Sequence, residues 1–300
     1  VTGSGGSGAA TSSDAPSSIS SNDGAASALA TASGIEKTSA HASAAAGAGG
    51  VSSTMGGSPP ASVMAELFGR ATGVAGGGNV FATLTNTKNL TLSGDTGFNV
   101  SSNTEFDTLS VATRGTGAGA MTLTAPGQTY TFARPATDAF GGAVTNTFQV
   151  IAAAAPTAST TFTALDGDLL VGGAGTNIAA TTLTLGASST GDVKLQGTAA
   201  NPLVLNNTTQ NIGTTSTRDV LIRGNVALTG TATQNLTANR NITVQAEQGT
   251  IAITGTDQTI QTNGTSGGTM LFKGGVAANE TVTVSASNKQ LIQSLDSTLA

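Results

Sequence analysis

The chain has 300 residues, enough for one or two domains with a real apolar core, but its apolar content is unusual: 38% hydrophobic residues with only 3% aromatics, no Trp and a single Tyr. Charged residues make up 9% against roughly 25% in an ordinary soluble domain, and the net charge of -5 comes from scattered single residues. This leaves no basic stripe for nucleic acid, and the absence of Cys excludes disulfides, thiolate metal sites and cysteine nucleophiles.

Residues 1–60 are dominated by Gly, Ser, Ala and Thr, with Ile19, Leu29, Ile35, Val51 and Met55 the larger apolar residues after Val1. So little apolar surface does not offset the entropy of ordering, and the composition predicts a low-complexity arm or linker. Residues 61–78 are expected to form a short helix and a Gly-rich linker. Over Ala61–Arg70, Val63 and Leu67, and Met64 and Phe68, stand four apart behind the capping residue Ser62. The longest wholly apolar run, Val150 to Ala155, is far shorter than the roughly 20 residues a membrane helix needs, so no membrane span is expected.

From residue 79 the signature changes to short strands in which apolar residues alternate with Thr, Ser or Asn. Leu90-Thr91-Leu92, Phe98-Asn99-Val100, Leu109-Ser110-Val111 and Met121-Thr122-Leu123 are followed by Gly, Asp or Asn turns. Tyr130-Thr131-Phe132 and Phe148-Gln149-Val150 hold several of the scarce aromatics and predict packing there. The β-rich region 79–155 gives way to a repetitive region, 156–300. There Leu183-Thr184-Leu185, Val193-Lys194-Leu195 and Leu203-Val204-Leu205 recur, and the same shape returns at Val220, Val226, Ile242, Ile251, Met270 and Val282. A coil of roughly 18 to 22 residues with two such strands fits that spacing. Stacked coils favour an all-β parallel solenoid over an antiparallel sandwich, the alternative that short strands also allow.

The segment from Asn235 through Ile242-Thr243-Val244 and Ile251-Ala252-Ile253 to Gly255 resembles a filamentous-haemagglutinin-type coil. That resemblance implies a right-handed parallel β-helix of a bacterial surface or secreted protein, with binding at its surface. The overall composition is similar to that of surface-layer proteins.

Chemistry-bearing residues are sparse. His41 is the only histidine and lies in the arm, which argues against a Ser-His-Asp triad and excludes a multi-histidine metal site. Asp166 with Asp168, or Glu247 with Asp257, are the carboxylate pairs for glycoside chemistry, but a turn role for each Asp weighs several times more. Asp166-Gly167-Asp168 followed by Gly172-Gly173-Ala174-Gly175-Thr176-Asn177 resembles one calcium-binding turn of the repeats-in-toxin type. Asp166, Asp168 and Asn177 are thus the calcium candidates, although the usual Asp is Asn177 here and a plain Gly-rich turn is favoured. Asn-x-Ser/Thr sequons stand at Asn89, Asn99, Asn206, Asn207, Asn235, Asn241, Asn263 and Asn279. Taken together, the residues predict an extracellular or cell-surface, non-enzymatic structural protein that associates with itself through β-edges, the arm donating a segment to a neighbour. No cofactor other than calcium is expected. The alternative is a β-helical glycan-binding or polysaccharide-cleaving protein, or a phage fibre-like one, meeting cell-envelope glycan.

Overall fold

In the computed structural model the strands are mostly parallel and stack as a β-solenoid of about seven turns. Side chains are described at Leu84, 89–92, 98–103, 105–113, 121–151, 157–174, 176–230, 232–264 and 268–294; before Leu84, strand backbone alone is described. No helix among the described residues is long and apolar enough to cross a membrane, which says nothing of spanning by strands. Two compact units divide the chain, Val1–Ala133 and Arg134–Ala300.

The first unit carries two columns of parallel strands. One runs from Gly8–Ser13 through Ala26–Ala32, the first part of Val51–Gly69, the first part of Asn79–Gly94 and Gly97–Ser102 to Met121–Ala125. The other runs from Thr2–Ser4 through Ser17–Ser20, Thr38–Ala46 and the later halves of Val51–Gly69 and Asn79–Gly94 to Thr108–Arg114. The helix expected over Ala61–Arg70 is not there: strand Val51–Gly69 runs through it. Positions four apart lie on one face of a helix and equally on one face of a strand, and Ala61, Val63, Ala65 and Leu67 also alternate. Backbone pairing on both sides, to Thr38–Ala46 and to Asn79–Gly94, decides for the strand.

Leu84, Leu90, Leu92, Phe98, Val100, Leu109, Val111, Met121 and Leu123 are all buried in this unit. Tyr130 and Phe132, whose packing the sequence predicts, lie on Gln128–Ala133, which folds back antiparallel on Met121–Ala125 through Pro126-Gly127, with Gly127 at φ 67°. Phe132 and Phe98 rings meet at 5.8 Å, tilted by 58°.

Three columns form the second unit. The first stacks Thr147–Ala153, Asp168–Val171, Val193–Gly197, the start of Asp219–Thr229, the start of Asn241–Thr262 and Met270–Lys273. The next stacks Leu203–Leu205 on Val226 to Leu228, Ile251 to Thr254 and Val282 to Ser285. Thr157–Asp166, Ala180–Ala187, Thr209–Ile212, Thr233–Ala238, the end of Asn241–Thr262 and the end of Val282–Ser294 make the remaining column. A complete coil therefore has three strands rather than two, and it is longer than expected, with equivalent residues 24 apart along Gln210, Gln234 and Gln258.

Inside, the apolar-x-apolar positions become columns. Val220, Ile222, Val226, Leu228, Ile242, Val244, Ile251 and Ile253 are each at most 1% exposed, and strand Asp219–Thr229 alternates buried and half-buried residues along its whole length. Phe148 and Phe162 supply the large rings of this core. Close backbone approach at the corners selects glycine: Gly224 has φ +93°, and a Cβ there would lie 1.9 Å from the Gly197 carbonyl oxygen and 2.6 Å from the Phe140 ring.

Candidate functional site

The side-chain chemistry of the second unit is concentrated in ladders that join one coil to the next. On the third column the inward positions are not all aliphatic. Gln210, Gln234 and Gln258 alternate with Ile212, Leu236 and Ile260, and every one of these six is at most 2% exposed. Gln234 Nε2 donates to Gln210 Oε1, and Gln258 Nε2 to Gln234 Oε1, each at 2.8 Å. Gln234 and Gln258 each turn their second N–H to the preceding strand, to the Leu228 (3.1 Å) and Ile253 (2.9 Å) carbonyls, and Gln210 donates likewise to the Leu205 carbonyl (2.8 Å). A buried amide left unpaired is costly, but here each amide nitrogen and oxygen has a partner, so the ladder ties coil to coil and face to face within a coil. Gln290 adds a fourth rung, donating to Gln258 Oε1 at 2.8 Å.

A second ladder runs along the outside of the same column. Asn235 Nδ2 donates to Asn211 Oδ1 (2.9 Å) and Asn211 Nδ2 to Thr184 Oγ1 (3.3 Å). Near the base of the inner ladder, buried Asn207 donates through Nδ2 to the Ile178 and Ala180 carbonyls at 2.9 and 2.7 Å.

Where the first column begins, the sparse charges form a third ladder. Lys194 Nζ meets Asp168 Oδ2 at 2.5 Å; Arg218 grips Asp192 with Nε and Nη2, both at 2.8 Å; Arg240 grips Asp219 at 3.0 and 2.5 Å. Both guanidiniums make the two-pronged contact that a planar carboxylate fits. Burial alone would raise the Asp219 pKa, but the Arg240 hydrogen bond, the Asn241 N–H and the nearby Arg218 charge outweigh it and hold the carboxyl below its usual range. The Asp192 hydrogen bond raises Arg218 further.

One loop, residues 134–146, closes over the first column. Asp138 Oδ1 accepts from the Phe140 and Gly142 N–H groups at 2.9 and 2.8 Å, and its Oδ2 accepts from Gln196 Nε2 at 3.1 Å. Phe140 lies under the Arg223 guanidinium, 4.0 Å from ring centroid to Cζ, while Arg223 Nε donates to Glu247 at 2.8 Å. Burial would raise Asp138, yet the Gln196 amide, the two N–H groups and Arg223 bring it below its usual range.

Asp166, Asp168 and Asn177 stand apart in role. Asp166 ends its strand half-buried, and Asn177 is exposed. Both oxygens of Asp168 are engaged, Oδ1 by the Asp192 N–H at 2.9 Å and Oδ2 by Lys194. Around the Gly-rich turn, Gln149 Nε2 donates to the Gly172 carbonyl at 2.8 Å, and Thr176 Oγ1 donates to the Ile151 and Gly173 carbonyls. Among the described residues, no group of three or more His, Asp or Glu side chains is placed to hold a metal ion. Glu247 and Asp257 have separate partners, Arg223 and Asn288. The His41 side chain lies outside the described residues. Of the sequons, Asn207 is buried, whereas Asn99, Asn206 and Asn279 are exposed.

Across four stacked coils, Asn206, Thr229, Gly230, Thr254, Ser285 and Ser287 line an open groove of about 580 Å³, walled by hydroxyls, an amide and backbone. No known protein family, curated protein or solved structure matches this chain. Sequence reasoning missed the glutamine ladder, because a search for apolar-x-apolar strands passes over Thr209-Gln210-Asn211-Ile212 and Thr233-Gln234-Asn235-Leu236. The repetition of Gln-Asn-aliphatic at a 24-residue interval was the signal that could have found it.

Proposed function

We propose that this chain is a non-enzymatic structural protein of an extracellular or cell-surface assembly, a layer, filament or adhesin stalk, working through coil-to-coil and β-edge contacts between copies. The observation that carries this reading is the use of its polar chemistry: glutamine, asparagine and ion-pair ladders all run from coil to coil, stiffening a stack rather than converging on a pocket. The neutral, polar composition and the resemblance of residues 235–255 to filamentous-haemagglutinin-type coils of bacterial surface proteins support it. Electron microscopy of the purified chain over a range of concentrations, with and without calcium, tests it. Sheets, filaments or regularly paired particles are expected; separate single copies under every condition would overturn it.

A second reading, binding of cell-envelope glycan, is favoured by the hydroxyl-lined groove beside Asn206 and Thr254. A glycan array combined with a polysaccharide turnover assay separates a binder from a cleaving enzyme, and silence in both removes this reading.

A further inference from the structure

At the corner between the second and third columns of the second unit, Thr229, Thr254 and Ser285 stack in register. Asn206 stands in line below them, because the preceding Leu205 pairs with Leu228. The next position in each upper coil is Gly230, Gly255 or Ala286, too small to fill the groove of about 580 Å³ that these residues line with Thr256 and Ser287. On the third column, Gln and Asn side chains are paired from coil to coil. At the corner they are not: among the described residues, the side chains of Asn206, Thr254, Ser285 and Ser287 have no hydrogen-bond partner, and Thr229 has only a long contact, 3.5 Å to the Leu205 carbonyl. Each free hydroxyl can both donate and accept. No lining residue is charged or aromatic. The groove lies on the flank of the stack. Thr229 and Thr254 have a coil on either side and remain half-exposed, so a further coil lengthens the groove and does not cover it.

We infer that this groove takes an uncharged, unbranched β-1,4-linked glycan laid along the stack, one sugar to each coil. The inference rests on the glycan-binding reading and gives that reading its ligand. Stacked strands set the rungs ~4.8 Å apart, and a 4-linked hexopyranose chain advances by about that distance per sugar, so successive sugars meet successive rungs in step. A polypeptide rises about 3.3 Å per residue and turns alternate side chains to opposite sides, so it cannot keep one group on each rung. Acidic glycans and nucleic acid call for cations, which the lining lacks. With no aromatic ring to stack on a sugar face, the contacts are hydrogen bonds to the sugar edges. Each is weak in water, and affinity comes from repeating them over several coils.

Fluorescence anisotropy with labelled cello- and chito-oligosaccharides of two and four sugars tests this on the 300-residue chain. The double variant Thr229→Val/Thr254→Val is measured beside it, with Thr182→Val, on the outer face of the third column, as the control. Valine keeps the branched shape and removes the hydroxyl, and circular dichroism reports that each variant keeps its β-structure. For the parent and the control, a tetrasaccharide should bind at least tenfold more tightly than its disaccharide, and an oligogalacturonate of the same length should not bind. The double variant should lose at least tenfold in affinity for the tetrasaccharide. Sugar binding that ignores chain length, prefers the acidic oligomer or is unmoved by the double variant would overturn the inference and keep the glycan-binding reading. Silence toward every sugar, with or without binding of an uncharged Ser/Gly peptide of similar length, overturns both.

Discussion

Asp219 shows how few charges serve this chain. It is gripped by Arg240, accepts from the Asn241 N–H and stands 3.8 Å from Arg218. Its folded pKa lies below the unfolded value, as do those of Asp138 and Glu280. For Glu280 the cause is the backbone N–H groups of Ala277 and Gln248. A depressed carboxylate contributes stability that is present above the unfolded pKa, about 4, and is lost as pH falls through the folded one. The urea midpoint should hold steady from pH 7 to about pH 5 and then decline. Asp219→Asn should lower the midpoint at neutral pH and flatten the acid decline, and a decline of unchanged steepness would count against the ion-pair ladder. At Gly224 the constraint is steric. Gly224→Ala puts a Cβ against the Gly197 carbonyl at φ +93° and should cost on the order of 2–4 kcal/mol by equilibrium unfolding, whereas the same change at Gly141, where a Cβ meets nothing within 4 Å, should cost less despite its φ of +79°.

At the scale of the strand, the glutamine column has no apolar equivalent. Gln234→Leu keeps the volume but strands Gln210 Oε1, the Leu228 carbonyl and one N–H of Gln258 in the core, so a loss of about 2–4 kcal/mol is expected. Replacing Gln258 as well removes a group that the first change had orphaned, and the double variant should lose less than the sum of the singles. Strict additivity in a double-mutant cycle would show that the rungs act independently. This column also marks the limit of what the sequence discloses. Ile242-Thr243-Val244 and Ile251-Ala252-Ile253 announce themselves, since aliphatics at alternate positions have one reading on a half-buried strand. Gln210 and Gln234 do not, because a glutamine is inward only if a stacked partner satisfies it, and stacking is a property of the whole coil. For that reason the third face was legible only at Leu183-Thr184-Leu185, and the coil was expected too short. The ion-pair ladder was illegible for the same cause: Asp192 and Arg218 lie 26 residues apart and meet only through the stack. At Ala61–Arg70 the error had another source, a four-residue spacing shared by helix and strand and settled by pairing on both sides.

Among the described strands of the second unit, successive coils pair in parallel with inward residue over inward residue, the register shifting only at Gly224/Val226 and Gly255/Asp257. In the coil of Met270–Lys273 and Val282–Ser294, Phe272, Val282, Val284 and Ile292 remain partly exposed. Burying apolar side chains of this kind contributes roughly 1.5–3 kcal/mol each when complete, so this coil should be the least stable part of the unit. Hydrogen exchange of the purified chain should show the amides of Val282–Ser294 exchanging faster than those of Asp219–Thr229. Cryo-electron microscopy of the assembled protein, resolving the contact between copies, tests the central claim most directly. Strand edges of neighbouring copies joined at the ~4.8 Å spacing of paired β-strands are expected; copies that never join would contradict it.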